Sequence, residues 1–196
     1  DRMGMSESKV FYCFDGQTPL SAALLNVRYL FSRSDAEDSS LYTLIDEQDG
    51  VYLYKNNKTL PAGFILQDGQ NLSSAEFSEE TSDPFEVQNQ MATSDALFVS
   101  IESEESGNQV FFDVYTEGHY YAYCKSSKID TVSISSASVN KTYKKVKYDY
   151  ILDLGRHETG DHVTLTNDED SVLNAVVVRL DEAVLSRTLQ TLSEQP

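Results

Sequence analysis

Residues Val110 to Lys125 read VFFDVYTEGHYYAYCK, and their alternation decides the fold. Val110, Phe112 and Val114 fall on one face of an extended chain, the period of two that marks a half-buried strand. In the second half of the stretch, alternation puts Tyr121 and Tyr123 on one face and Tyr120 on the other, so part of this aromatic cluster belongs to a core. Outward from here the same signal recurs at Ala96 to Glu102, Thr131 to Ser135, Lys141 to Val146, Tyr150 to Leu154, His162 to Thr166 and Asn174 to Leu180. The spacing is near ten residues and is broken by Gly, Ser and Asn. That pattern predicts an antiparallel β-sandwich or jelly roll and speaks against a βαβ fold. The basic run KTYKKVK, Lys141 to Lys147, reads as a strand with a charged outer face. A closing helix, DEAVLSRTLQTLSE, is capped by Asp181, and Leu185, Leu189 and Leu192 form an apolar stripe that seeks the first half of the chain as its partner.

Upstream, the first half predicts a smaller α+β subdomain. Asp15 to Pro19 is a turn, Leu20 to Leu25 a short helix and Asn26 to Phe31 a strand, with Leu20, Leu24 and Tyr29 expected to face inward. Tyr42 to Ile45 and Val51 to Tyr54 flank Asp49-Gly50, a pair that tolerates positive φ at both central positions of a tight hairpin. Asn56-Asn57 makes a further turn, Pro61 marks an edge or a strand start, and Gly63 allows close backbone approach. Gln67 to Gln90 is polar and acidic and reads as a loop or short helices. The fold expected is mainly β, α+β overall, with residues 1–90 forming the small subdomain and residues 91–196 the sandwich with its terminal helix.

Composition limits the function classes. The chain has 196 residues, 40% hydrophobic and 24% charged, which is a globular profile able to bury a substantial core. Its net charge of -17 argues against nucleic acid as a partner, since phosphate binding needs clustered Lys and Arg. Anionic membrane surfaces are disfavoured for the same reason. No window reaches the roughly 18 apolar residues of a membrane span, and no signal peptide is visible. The chain reads as soluble as it stands, while its opening, DRMGMSESKV, suggests an internal segment of a longer protein. Cys13 and Cys124 are the two cysteines, and either one disulfide or none fits their separation.

Catalytic and metal motifs are not found in this sequence. His119, His157 and His162 show no zinc-ligand spacing, no GxSxG elbow occurs, and Ser, His and Asp side chains from distant positions could still converge in space. The 32 acidic residues single out no carboxylate pair. Asn167 to Asp170 offers oxygen ligands for calcium, but the plainer reading is an acidic hairpin turn between two strands. Neither a metal nor a cofactor is expected. Tyr121 and Tyr123 are the candidate ligand-binding residues, as an aromatic platform on which sugar rings could stack.

Three segments, taken in order, carry a family resemblance: LLNVRYLFS (Leu24 to Ser32), VYLYKNNKTLPAGFIL (Val51 to Leu66) and DPFEVQN (Asp83 to Asn89). They resemble the extracytoplasmic part of the YfhO-like family of bacterial polytopic membrane proteins. A looser match continues through Asp153-Leu154-Gly155 and Gly160 to Leu165. The resemblance implies a glycosyltransferase-like membrane protein acting on cell-envelope polymers such as lipoteichoic acid, with its catalytic carboxylates near membrane spans that this sequence does not contain. No catalytic residue therefore transfers to this chain. It implies a soluble outer domain on the extracytoplasmic side of the cell membrane, acting as scaffold or substrate-positioning module, with an envelope polymer or glycan as partner. The alternatives are a stand-alone carbohydrate-binding β-sandwich, with a groove lined by tyrosines, and an independent hydrolase.

Overall fold

The computed structural model describes residues 3–6, 15–33, 40–63, 83–92, 95–124, 128–169 and 171–193. Its centre is a sandwich of two antiparallel sheets. One holds four strands: β4 (Phe98–Ser100), β7 (Gly118–Tyr123), β10 (Ile151–His157) and β12 (Val176–Leu180), in the order β10-β7-β12-β4. The other holds five: β5 (Glu104–Ser106), β6 (Gln109–Asp113), β8 (Thr131–Ser135), β9 (Asn140–Lys144) and β11 (His162–Asn167), in the order β5-β6-β11-β8-β9. Between them lie Val110, Phe112, Tyr120, Ala122, Val132, Ile134, Leu152, Leu154, Val163 and Leu165, all buried, as the period-two pattern requires.

The four-stranded sheet is packed on both of its sides. Its second side, carrying Phe98, Tyr121, Ile151, Val178 and Leu180, forms another core with Leu20, Leu41, Leu60, Phe85 and the terminal helix. This is why HYYAYC is apolar at nearly every position. Three helices cover that side: α1 (Pro19–Leu24), α2 (Pro84–Gln90) and α3 (Glu182–Ser193). Thr18 caps α1 in a reciprocal box with Ser21, and Pro19 occupies the first turn, where its missing N–H costs nothing. Asp83 caps α2 by accepting from the Phe85 N–H at 2.8 Å, and Asp181 caps α3 by accepting from the Val184 N–H at 3.0 Å. Leu185, Leu189 and Leu192 are buried against this core, so the helical stripe meets the partner expected of it.

A third sheet stands beside this core, three antiparallel strands β1 (Tyr29–Ser32), β2 (Tyr42–Gln48) and β3 (Val51–Asn56), ordered β1-β3-β2 with β3 in the middle. Asp49 and Gly50 join β2 to β3 with φ of 53° and 73°, the positive values that the dipeptide was expected to supply. Tyr54 and Asn56 on β3 are buried. Residues from before and after position 90 thus share one core, and the chain between 1 and 90 contributes Leu20, Leu41, Leu60 and Phe85 to it.

Several expectations change. Tyr29 points outward and is 56% exposed, because β1 turns its other face, the half-buried Leu30 and Ser32, inward. The acidic turn at Asn167 to Asp170 does not close a hairpin: β11 and β12 lie in different sheets, so this segment crosses between the layers. Asn167 holds the crossing, wholly buried, donating from Nδ2 to the Ser171 carbonyl and accepting at Oδ1 from the Glu169 N–H. The 151–157 and 162–167 strands likewise pair in separate sheets. Cys124 is a buried thiol of the sandwich core, pushed up to about 12 by burial, and Cys13 lies outside the described residues, as do Phe64 to Leu66.

Candidate functional site

The outward face of the three-stranded sheet carries Tyr29, Phe31 and Val51, all exposed. Cross-strand register aligns Tyr29 with Lys55, Phe31 with Leu53, and Asp46 with Leu53 from the other side. The next row pairs Val51 with Gln48. A β-bulge between Leu44 and Asp46 makes this arrangement: the extra residue, Ile45, shifts the pattern so that Asp46 lies opposite Leu53. The result is a shallow groove of about 330 Å³ lined by Phe31, Leu53, Val51, Asp46, Gln48 and Asp49. That volume sits at the small end of the ~300–1,000 Å³ typical of ligand clefts. Phe31 is 72% exposed at its edge. Apolar groups form the floor and planar polar side chains one rim, so the groove can stack on a flat group while hydrogen-bonding or pairing with charge at one end.

Sequence reasoning missed this site, although the β-strand content of Asn26 to Phe31 was legible; period-two patterning does not say which side of an edge strand faces water. Instead it singled out Tyr121 and Tyr123. The structure puts Tyr121 in the helical core at 1% exposure, edge-on to Phe98 at 5.7 Å and stacked on His119 at 4.8 Å. A ring enclosed in this way has no free face for a sugar. Tyr123 is half-buried against the same cluster, and burial, reinforced by the charges of Asp149 and Asp83, pushes its hydroxyl up to about 12. The pair is on one face, as alternation requires, but that face is interior.

The histidines have structural partners. His119 meets Asp153 at 2.5 Å, and Asp153 also accepts from the Gly155 N–H at 2.9 Å, fastening the bulge where β10 slips against β7. Gly155, at φ of 83°, provides the left-handed step this bulge needs. His162 pairs with Asp113 at 2.8 Å on an exposed cross-strand site. Ser138, His157 and Asp161 do converge, with Ser138 Oγ 3.3 Å from His157 Nδ1 and 3.2 Å from Asp161 Oδ2. Asp161 Oδ2 itself lies 3.4 Å from the same Nδ1. A serine relay needs the hydroxyl and the carboxylate on opposite ring nitrogens. Here both crowd Nδ1, and Nε2 faces the Leu154 carbonyl at 3.0 Å, so the trio clasps two loops and relays no proton. No group of three or more His, Cys, Asp or Glu side chains suited to a metal occurs among the described residues.

No family model and no curated protein matches the sequence. Among solved structures, the chain is similar to a ruminal GH26 endo-beta-1,4-mannanase at 15% identity and a TM-score of 0.27, over 44% of this chain and 19% of that one. It is also similar to the cupin domain of Cnp3 from Schizosaccharomyces pombe at 14% identity and a TM-score of 0.22, over 46% of this chain and 68% of that one. The chain therefore spans about a fifth of the mannanase it matches. Neither likeness is close enough to bring an activity to this protein. Among the described residues no helix is long and apolar enough to cross a membrane.

Proposed function

We propose that the chain is the extracytoplasmic, non-catalytic domain of a polytopic membrane protein of the YfhO-like kind, serving as scaffold or positioning module for an envelope glycosyltransferase. One observation carries this reading: the three segments that bear the resemblance meet in a single structural unit. The first and second pair directly, as β1 against β3. Asn56, from the second, is buried and donates from Nδ2 to the Val27 carbonyl of the first at 2.9 Å. Leu60 of the second and Phe85 of the third lie in the same core. Asn89, closing the third, clamps both backbone groups of Phe98, at 2.9 Å to its carbonyl and 2.7 Å from its N–H. Residues with such duties preserve an architecture and leave reaction chemistry to other parts of the protein, as the resemblance implies.

The test is the size and membrane partitioning of the native gene product, probed in cell fractions with an antibody against this domain. A membrane-bound band several times larger than the 22.0 kDa of this chain is expected. A soluble band of about this chain's own mass would overturn the reading.

A further inference from the structure

We infer that the groove on the β1-β3-β2 sheet is a docking site for an arginine-bearing segment of a partner protein. The inference rests on the groove and stands apart from the membrane reading. Phe31 projects from the edge strand at 72% exposure, and Leu53 and Val51 extend the apolar floor beside it. Opposite, Asp46 and Asp49 bring two carboxylates. Asp46 takes only the N–H of Glu47, at 2.9 Å, and neither carboxylate is paired with a cation among the described residues. The whole chain adds its net charge of -17 to the same sign. An anionic ligand is repelled here, and a wholly apolar one leaves the rim charges unanswered.

Guanidinium fits both halves of the groove. It is planar, weakly hydrated, stacks on an aromatic face and pairs with a carboxylate through two parallel hydrogen bonds; an ammonium can do only the point-charge part. Phe31 and Asp46 flank Leu53, two strand spacings or about 10 Å apart. An extended Arg-x-Arg segment sets two guanidinium groups on one side about 7 Å apart, so one covers Phe31 while the next reaches the carboxylate rim. Lys55, one row away beside Tyr29, confines the cationic segment to the Phe31 and Asp46 end.

The probe is the blocked peptide Ac-Arg-Thr-Arg-Thr-Arg-NH2, titrated into the full chain while backbone amide shifts are followed by NMR. A citrulline version, of the same shape without charge, and the neutral disaccharide maltose serve as comparisons. The arginine peptide is expected to shift residues 31, 46 to 49 and 51 to 53, with the citrulline peptide weaker by roughly tenfold or more and affinity falling as salt rises. Phe31→Ala and Asp46→Asn each weaken binding by roughly fivefold, equal to about 1 kcal/mol, while leaving the remaining amide spectrum in place. Shifts scattered over the acidic surface and unchanged by Phe31→Ala would overturn the site. So would equal binding of the citrulline peptide, or maltose shifting the groove residues when the arginine peptide does not. Any of these leaves the cell-fractionation result untouched.

Discussion

Asn89 satisfies two backbone groups of Phe98 with one amide side chain, at the point where the helical layer joins β4. Asn89→Ala leaves both without that partner in a half-buried place, and the expected loss is about 1–3 kcal/mol of unfolding free energy, read from urea denaturation. His157 gives a second effect of single groups. Burial lowers its pKa from the ordinary 6.5, so the folded state favours the neutral ring. The unfolded chain then binds the proton first as pH falls below 6.5, and stability drops from there toward the folded-state value. Asp161, held low by the Glu158 N–H and then by Ser138 and His157, loses its share at more acid pH, below its ordinary 3.8. Urea midpoints measured across this range should fall with acid, and His157→Gln should flatten the upper limb. A wild-type midpoint constant from neutral pH down to pH ~5 would refute the assignment to the imidazole.

Among the elements, α3 is fastened at its start by Asp181, whose carboxylate accepts from both Ala183 and Val184. Asp181→Ala should cost about 1 kcal/mol, visible as a lower Tm, with the helix still docked because Leu185 and its neighbours hold the stripe. This helix, its cap and its apolar stripe were all legible in sequence, because local chemistry specifies them. So was the Asp49-Gly50 hairpin. The strand β5 was not: Glu104-Glu105-Ser106 is polar throughout and exposed, an edge that pairs with β6 and shows no alternation. Nor could the chain order reveal that β11 and β12 belong to opposite sheets, since a turn and a layer crossing use the same polar residues. The Phe31 groove depended on a bulge in β2, a register event set by pairing with β3. The trio of Ser138, His157 and Asp161 had no fixed spacing to announce it. Tyr121 failed as a site for a related reason: alternation found its face, but which face meets water is decided by what packs on the sheet.

For the molecule as a whole, the two cores share the four-stranded sheet. A fragment of residues 95–193 keeps both sandwich sheets and α3 but removes Leu20, Leu41, Leu60 and Phe85 from the helical side. Phe98, Tyr121 and Val178 then face solvent in part. The fragment is expected to bind the dye ANS and to melt well below the full chain; melting at the same temperature without dye binding would show that the sandwich stands without the first half.

The same sheet also sets a clock. The Ala122 strand position is paired with Leu152 on one side and Val177 on the other, with a core above and a core below. A peptide hydrogen there reaches deuterated solvent only when both layers come apart together, so its exchange reports the opening of the entire molecule. Amides of the three-stranded sheet, which has one wet face, should exchange earlier through smaller fluctuations, and the interval between the two rates measures how much of the protein's stability the shared sheet concentrates.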